Sequence, residues 1–268
     1  MRPVAKALTI AGSDNSGGAG IQADLKTFTA FGVYGMTAIT AVTAQNTLGV
    51  LGFEEVSLGL IAAQIDSIVS DIGVDAAKTG MLASAPIVAL VADKVREHGI
   101  TNLVVDPVMR AKSGDPLLAE DAQEAVRALL LPRALVVTPN APEAEALTGR
   151  RIETLADMRA AARDLHAMGV RWVVVKGGHL PFEGDAVDVV YNGHEFVELR
   201  SPRYPTKHTH GTGCTFSAAI AAGLAKGREP LAAIRRAKEY VSRAIETALA
   251  IGHGHGPTNH LVDVHSDW

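Results

Sequence analysis

Short apolar runs recur along this chain, and each ends at glycine or polar residues that lead into a segment with helical spacing. The clearest runs cover residues 7–11, 33–44, 103–105, 135–138 and 172–175. Runs bounded by turn residues in this way are typical of strands in a parallel sheet that helices cover on both faces. About six strand–helix units in series, with no repeat or linker between them, predict one three-layer α/β/α domain over residues 1–268.

Residues 186–199 depart from the strand–helix pattern, because Asn192-Gly193 stands between two runs of alternating apolar and polar residues. Asn-Gly at such a position is a strong signal for a hairpin turn. We therefore expect a mostly parallel central sheet with an antiparallel hairpin at one edge. An apolar fraction of 47% with only 4% aromatic residues suits helices packed on such a sheet.

Charge and cysteine content exclude several classes of protein. The net charge is −4 and no basic block is long enough to form a binding face, which argues against nucleic acid and anionic membranes as partners. The single cysteine can form no intramolecular disulfide, and no cysteine pair has zinc-binding spacing. The N-terminal residues lack a signal-peptide pattern, and no apolar run approaches the ~20 residues of a membrane span. These features predict a cytoplasmic protein.

The segment 209–215, THGTGCT, precedes the apolar run 216–224 and has the composition of an anion-binding helix start. First-turn N–H groups have no partner within a helix, and the helix dipole adds partial positive charge there. Gly211 and Gly213 permit restricted backbone angles and a close approach of a ligand to the main chain. Because Cys214 follows in the same field, we interpret this segment as the transition-state end of a phosphoryl-transfer site.

Three further polar residues stand where predicted strands end. A carboxylate at Asp106 is costly after a buried strand unless it faces a cleft in which hydrated Mg²⁺ can bind it. Lys176 ends another apolar run and precedes two glycines, a suitable place to meet phosphate. The amide of Gln45 can read the donors and acceptors of a heterocycle, or it can cap a loop.

Other polar residues have structural interpretations that the local sequence favours or leaves open. Asn140 and Glu143 have the spacing of a helix capping box, a role at least as probable as a functional one. Asp24 lies near a helix start, where a negative charge is favourable without a ligand, and Lys238 fits an exposed helix position. The histidines in 253–257, HGHGP, have no carboxylate or cysteine at ligand spacing, so a packed loop is favoured over a metal site.

The order of these motifs resembles one enzyme family over essentially the whole chain. The glycine-rich start, the Asp-Pro-Val-Met strand end, the Thr-Pro-Asn junction, Lys-Gly-Gly-His and His-Gly-Thr-Gly-Cys are similar to ribokinase-type small-molecule kinases. Residues 11–25, 34–49, 112–115 and 252–257 resemble more closely the hydroxymethylpyrimidine/phosphomethylpyrimidine kinases of thiamine biosynthesis. The resemblance implies a ribokinase-like three-layer α/β/α sandwich.

This resemblance implies ATP-dependent phosphorylation of the hydroxymethyl group of 4-amino-5-hydroxymethyl-2-methylpyrimidine, and then of the monophosphate to the diphosphate. It implies ATP and Mg²⁺ as cofactors and a homodimer as the assembly, and it leaves a monovalent cation open. A pyridoxal or pyridoxine kinase of the same fold is the alternative function. The third possibility is a non-catalytic ligand-binding protein. Such a protein would be expected to have lost the catalytic groups, but this chain retains Asp106, Glu143, Lys176 and Cys214.

The same resemblance assigns each part of the site to residues of this chain. The aminopyrimidine edge would be held by Gln45 and Asp24, and the ring pocket would be lined by Gly12, Met81 and Val108. Mg²⁺ would be organised by Asp106 and Glu143. The triphosphate side would use Thr209, Asn140, Lys176 and Lys238, and the N–H cradle would come from Gly211, Thr212 and Gly213.

By resemblance, Cys214 stands where most ribokinase-type sugar kinases carry an aspartate. A helix N-terminus lowers the pKa of a thiol from its reference of ~8.5, so we expect a thiolate that can accept the hydroxyl proton. A role in positioning alone stays open. Arg110 follows the Asp-Pro-Val-Met motif in place of a small apolar residue and opens the segment 110–116, which is expected to act as a lid.

Overall fold

The computed structural model describes residues 4–111, 113–115, 117–178, 180, 184–262 and 264. Lys112 and His179, which belong to two of the motifs above, lie outside the described residues. Among the helices described, none combines the length and apolar character that a bilayer span requires.

The described strands form one sheet. In chain order they are β1 (Lys6–Asp14), β2 (Tyr34–Gln45), β3 (Val50–Glu55), β4 (Ala76–Thr79), β5 (Leu103–Val105), β6 (Val136–Val137), β7 (Trp172–Lys176), β8 (Ala186–Tyr191) and β9 (Phe196–Ser201). Their order across the sheet is β3-β2-β1-β4-β5-β6-β7-β8-β9. The pairs from β2 to β7 are parallel, whereas β3, β8 and β9 pair antiparallel at the two edges. The predicted parallel sheet with an edge hairpin around Asn192-Gly193 is confirmed.

The described helices form two layers, one on each side of this sheet. They are α1 (Gly20–Ala30), α2 (Leu58–Asp71), α3 (Ala85–Glu97), α4 (Glu120–Ala125), α5 (Ala141–Thr148), α6 (Leu155–Ala167), α7 (Thr212–Ala225) and α8 (Pro230–Glu246). One buried apolar cluster joins α1, α7 and α8 to the sheet, and a second joins α2 to α6 to its other face. Successive β1 residues enter different clusters, Ala7 the first and Leu8 the second, because strand side chains alternate between faces. The three-layer architecture is confirmed.

Helix starts follow the capping signals of the sequence. Asn140 Oδ1 accepts a hydrogen bond from the Glu143 N–H at 2.9 Å, and Glu143 Oε2 accepts one from the Asn140 N–H at 2.8 Å. Thr154 and Asp157 cap α6 through the same reciprocal pattern. Each box satisfies N–H groups that would otherwise lack a partner at the start of the helix.

Two elements differ from the sequence-based expectations. Strand β3 was not predicted, because Val50–Glu55 is mostly exposed and lacks the apolar pattern of a buried strand. Helical spacing in the sequence predicts a long helix from Pro230 to about Ala250, but α8 ends at Glu246. The returning chain explains the earlier end, since the Asn259 N–H donates to the Ala244 carbonyl that one further helical turn would have used.

Candidate active site

The carboxyl-terminal ends of the parallel strands meet along one edge of the sheet, where open α/β proteins bind their ligands. Asp14 ends β1, Gln45 ends β2, Asp106 directly follows β5, and Lys176 ends β7. The first turn of α7 reaches the same edge, because Gly213 lies beside both Asp106 and Lys176. The predicted phosphate-binding segment and the polar strand ends are thus brought together.

Gly211 shapes the turn that leads into α7. Its φ of 79° lies in the left-handed region, and an added Cβ would lie 1.8 Å from the Gly18 carbonyl oxygen. Thr212 Oγ1 donates to the Thr209 carbonyl at 2.7 Å, which fixes the preceding residue against the helix start. No side chain caps this helix within the described residues, and the Thr212 N–H makes a long hydrogen bond of 3.3 Å to the Thr209 carbonyl. The first turn can therefore still offer main-chain N–H groups to an anion.

Asp106 and Lys176 form the charged centre beside this turn. Lys176 Nζ lies 3.4 Å from Asp106 Oδ1, and Ser217 Oγ donates to Asp106 Oδ2 at 3.1 Å. Thr138 Oγ1 lies 3.4 Å from Asp106 Oδ1. An added Cβ on Gly213 would lie 3.4 Å from Lys176 Nζ and 3.5 Å from Asp106 Oδ2. A carboxylate, an ammonium group and helix N–H groups therefore converge, as phosphoryl transfer requires.

Glu143 lies at this centre as well as in the α5 cap, so the structural and functional interpretations do not exclude each other. Its side chain is 8% exposed. Burial raises the pKa of Glu143 to about 7, the charge of Lys176 lowers it, and the charge of Asp106 raises it. Glu143 also accepts backbone hydrogen bonds from Asn140 and Met109. A carboxyl with this pKa takes up or loses a proton near neutral pH, according to the charge placed beside it.

Cys214 is partly buried in the first turn of α7. Burial raises the pKa of its thiol to about 11, while the charge of Lys78 opposes the shift and those of Asp24 and Asp106 add to it. A backbone hydrogen bond from Gly20 also lowers this pKa, by a smaller amount. The prediction of a lowered thiol pKa is therefore wrong, because the removal of water outweighs the favourable charges and donors.

Asp24 is fully buried and paired with Lys78 of β4. Lys78 Nζ lies 3.0 Å from Asp24 Oδ1 and 2.9 Å from Asp24 Oδ2, and Thr9 Oγ1 donates to Oδ2 at 2.6 Å. Burial alone would lower the pKa of Lys78, but the Asp24 charge raises it, whereas burial raises the pKa of Asp24 against the opposing charge of Lys78. These contacts occupy the Asp24 carboxylate, and its side chain has no exposed surface. The structure therefore does not bring Asp24 to the surface beside Gln45.

The residues expected around a ring lie together in an apolar cluster. Met81 and Val108 belong to one small cluster, which also includes Ala41, Ala83 and Leu117. Gly12 adjoins it, since an added Cβ there would lie 3.0 Å from Met81 Sδ. A side chain at position 12 would therefore press on Met81 and reduce the space for a flat ligand.

Gln45 lies next to a buried contact between His210 and Asp14 that the sequence did not predict. His210 Nε2 lies 2.8 Å from Asp14 Oδ2 and 3.2 Å from Gln45 Nε2. Burial alone would raise the pKa of Asp14, but hydrogen bonds from His210 and Ser16 lower it to about 2. His210 directly precedes Gly211, so this contact connects the end of β1, the end of β2 and the turn before α7.

Lys238 is engaged by a carboxylate of the edge hairpin. Its Nζ lies 2.8 Å from Asp188 Oδ2 and 3.5 Å from the Ala186 carbonyl oxygen. Lys238 is 9% exposed, so the sequence-based expectation of an exposed helix lysine is wrong. The structure brings Lys176, but not the Lys238 ammonium group, to Asp106.

Asp115, in the segment expected to act as a lid, accepts a hydrogen bond from the Val50 N–H at 3.2 Å, and the tail contacts the loop after β2. Arg110 is exposed and its Nη1 donates to the Gly114 carbonyl at 3.0 Å. In the tail, the His255 N–H donates to the Thr47 carbonyl at 2.7 Å, and His255 Nδ1 lies 3.0 Å from the Lys207 carbonyl oxygen. These contacts fit a packed loop, the interpretation that the sequence favoured over a metal site.

Four polar residues of this region were not predicted from the sequence, namely Lys78, Asp188, His210 and Ser217. Lys78 gave a usable signal, because a lysine inside a buried strand requires a partner. His210 and Ser217 flank the recognised glycine segment, but their contacts depend on strands far away in the chain. Asp188 occupies a buried position of the hairpin, where an unpaired carboxylate would be costly.

Comparisons with known proteins agree with this geometry. The family model for phosphomethylpyrimidine kinase matches residues 14–259. A hydroxymethylpyrimidine/phosphomethylpyrimidine kinase from Bacillus subtilis (strain 168) is 50% identical over 256 residues, which cover 96% of this chain and 94% of that protein.

Solved structures of similar proteins share the whole fold. An ADP complex of pyridoxal kinase from Bacillus subtilis has a TM-score of 0.89 and 44% identity, and the match covers 96% of this chain and 98% of that chain. Phosphomethylpyrimidine kinase from Clostridium difficile 630 has a TM-score of 0.81 and 42% identity, with 91% of this chain and 100% of that chain covered. The ribokinase-like fold expected from the motifs is confirmed, and the chain belongs to the phosphomethylpyrimidine kinase family of phosphotransferases.

Proposed function

We propose that this protein transfers the γ-phosphoryl group of ATP to the hydroxymethyl group of 4-amino-5-hydroxymethyl-2-methylpyrimidine, and then phosphorylates the monophosphate to the diphosphate. The observation that carries the proposal is the position of Gly213 at the start of α7, where an added Cβ would lie within 3.5 Å of both Lys176 Nζ and Asp106 Oδ2. A transferred phosphoryl group needs neutralising donors on several sides, and this position offers both N–H groups and an ammonium group.

The triphosphate is held from two sides in this proposal. Gly211, Thr212 and Gly213 supply main-chain N–H groups, and Lys176 supplies positive charge. Thr209 lies in the turn before α7 and Asn140 lies after the end of β6, and both would line the nucleotide-binding part of the site. Catalysis then consists mainly of holding the two reacting oxygens in line while charge is neutralised.

Asp106 and Glu143 fit a Mg²⁺ ion that accompanies the nucleotide, because carboxylate oxygens are the ligands this hard cation prefers. Bound there, Mg²⁺ would neutralise phosphate charge. The raised pKa of Glu143 agrees with this role, since a second carboxylate beside Asp106 is unfavourable until a cation arrives. Thr138 and Ser217 hold the Asp106 carboxylate in place.

Cys214 is a neutral thiol near pH 8, since its pKa is about 11. We therefore assign it first to positioning the substrate hydroxyl. To accept the hydroxyl proton, Cys214 would first have to lose its own proton to solvent, and burial, together with the charges of Asp24 and Asp106, opposes that loss. Catalysis by positioning and charge neutralisation does not require this ionisation.

The pyrimidine ring is placed in the apolar pocket of Gly12, Met81 and Val108, with the Gln45 amide on its polar edge. The environment of Asp24 does not fit the substrate contact that the resemblance implies for it. Because its carboxylate is bound by Lys78 and Thr9 beneath the site, we assign it a supporting role, with no substrate contact.

Steady-state kinetics with MgATP test the proposal, with the pyrimidine alcohol and pyridoxal as competing substrates. We expect a higher kcat/KM for the pyrimidine, and Cys214→Ala should lower kcat by ~10²-fold or more with a smaller change in KM. A higher kcat/KM for pyridoxal would favour the alternative kinase. Pyrimidine binding without ADP formation would instead identify a binding protein.

We also propose that the protein is a homodimer formed through the β2–β3 edge. Val42, Leu51 and Phe53 are 55%, 81% and 40% exposed there, and an edge strand with exposed apolar side chains favours pairing with another chain. Light scattering should give twice the chain mass for the parent and a lower mass for Leu51→Glu. A monomeric parent would contradict the proposal.

A further inference from the structure

Asp188 stands between the two lysines that the family resemblance places on the triphosphate. It pairs directly with Lys176 across the antiparallel strands β7 and β8. Directly opposed residues of such strands carry their side chains on the same face, about 5 Å apart at Cβ. Asp188 on the hairpin is therefore a further carboxylate near Lys176, in addition to Asp106 and Glu143 at the phosphate site.

Each oxygen of the Asp188 carboxylate accepts from a donor other than Lys176. Oδ2 lies 2.8 Å from Lys238 Nζ, and Oδ1 accepts the Gly177 N–H at 3.1 Å. Asp188 is 5% exposed and Lys238 9% exposed, so water screens this pair little. Lys176 Nζ is instead placed 3.4 Å from Asp106 Oδ1.

The loop after β7 depends on the same carboxylate. The Gly177 N–H has Asp188 Oδ1 as its partner, and an added Cβ on Gly177 would lie 2.2 Å from the Val187 carbonyl oxygen. The backbone that follows Lys176 is therefore packed tightly on β8. A shift of Asp188 would move this backbone together with the Lys176 side chain.

We propose that Lys238 acts on the phosphate site through Asp188, without contacting the nucleotide. By neutralising Asp188, Lys238 prevents this carboxylate from drawing Lys176 away from Asp106, so Lys238 and Asp188 are positioning residues for Lys176. The inference rests on the proposed function and changes the role that the resemblance gave to Lys238.

Charge balance supports this role. Burial alone would lower the pKa of Lys176, but the carboxylates of Asp106, Glu143 and Asp188 raise it. Asp188 is thus close enough to act on the Lys176 ammonium. Loss of its own counter-ion would strengthen that attraction, because a buried charge without a partner is strongly unfavourable.

The test compares Lys238→Met, Asp188→Asn and the double variant with the parent protein. Affinity for MgADP is measured by calorimetry, kcat is measured with MgATP and the pyrimidine alcohol, and circular dichroism checks folding. Arg235→Met is the matched control, since Arg235 is an exposed cation on the same helix. MgADP affinity reports on the positioning pair even if the pyrimidine is not the substrate, so a failure of the proposed function would be recognised separately.

Lys238→Met should weaken MgADP binding by about 10-fold or more and lower kcat, because Asp188 then competes for Lys176. The double variant should recover affinity to within about 3-fold of the parent, since the competing charge is gone and the amide oxygen still accepts from Gly177. A direct contact between Lys238 and phosphate predicts the opposite, a double variant no better than Lys238→Met. If Lys238→Met fails to fold, the double variant alone tests the proposal, because it also lacks the lysine. A 10-fold loss of MgADP affinity in the double variant would overturn the proposal.

Discussion

The ionisation of Cys214 can be measured directly by following its alkylation with iodoacetamide as a function of pH. The chain contains one cysteine, so every alkylation event in the folded protein reports this residue. Burial sets the thiol pKa at about 11, compared with an ordinary value of 9.0. Near pH 8 this difference leaves about 100-fold less thiolate than an ordinary thiol would have.

The midpoint of the pH profile is the quantity to compare, because a thiolate of higher pKa is also intrinsically more nucleophilic. We expect a midpoint near 11 for the parent protein, following the value set by burial. Asp106→Asn should lower the midpoint, since this carboxylate helps to raise the thiol pKa. Addition of Mg²⁺ should shift it in the same direction if the ion binds at Asp106.

A midpoint below 9.0 would refute this reasoning. It would show that the N–H groups and dipole of α7, together with Lys78, outweigh the loss of water around the sulfur. Cys214 would then be a thiolate at neutral pH, and a general-base role from the start of the reaction would follow. Iodoacetamide-treated protein analysed by mass spectrometry after unfolding provides the control that one thiol per chain reacts.

Three further predictions concern stability and recognition. Glu143→Gln should raise the free energy of unfolding near pH 8 by about 3 kcal/mol in EDTA and change it little near pH 4. The reason is that folding raises the Glu143 pKa from 4.5 to about 7, so the parent protein loses stability as the pH rises between these two values. An equal change in the free energy of unfolding at both pH values would contradict the raised pKa. Gly211→Ala should lower the free energy of unfolding, measured in urea, by about 2 kcal/mol or more. Gly99→Ala is the control and should lower it less, because Gly99 also has a positive φ but has open space around it. Equal losses would mean that the contact with Gly18 is unimportant. Gln45→Leu should lower kcat/KM for the pyrimidine alcohol by about 10- to 100-fold with little change in KM for ATP, and an unchanged kcat/KM would remove Gln45 from the substrate site.

Features encoded over a few neighbouring residues were predictable from the sequence. The capping box of Asn140 and Glu143, the hairpin at Asn192-Gly193 and the glycine turn before α7 all depend on spacing within a short segment. The ends of the strands could also be predicted from the sequence, because each apolar run stops where polar residues begin. Parallel pairing then brings those ends to one edge without further information.

Features that depend on pairing between distant segments were not predictable. Asp24 and Lys78 are 54 residues apart, and nothing in either segment indicates that they meet in a fully buried ion pair. The direction of the Cys214 pKa shift was missed for the same reason, since the helix start was visible in the sequence but the extent of burial was not. Lys238 has helical spacing, yet its partner Asp188 lies on the hairpin.

The contacts around His210 have a consequence for the order in which the protein is completed during synthesis. Its N–H donates to the Gly256 carbonyl, its own carbonyl accepts from the Thr258 N–H, and its ring contacts Asp14. A chain growing on the ribosome can assemble most of the sheet before residues 256–258 have emerged, but the turn at Gly211 still lacks its backbone partners. A chain that stops before Gly256 would therefore keep the ends of the parallel strands but lose both backbone hydrogen bonds that hold His210 beside the Gly211 turn.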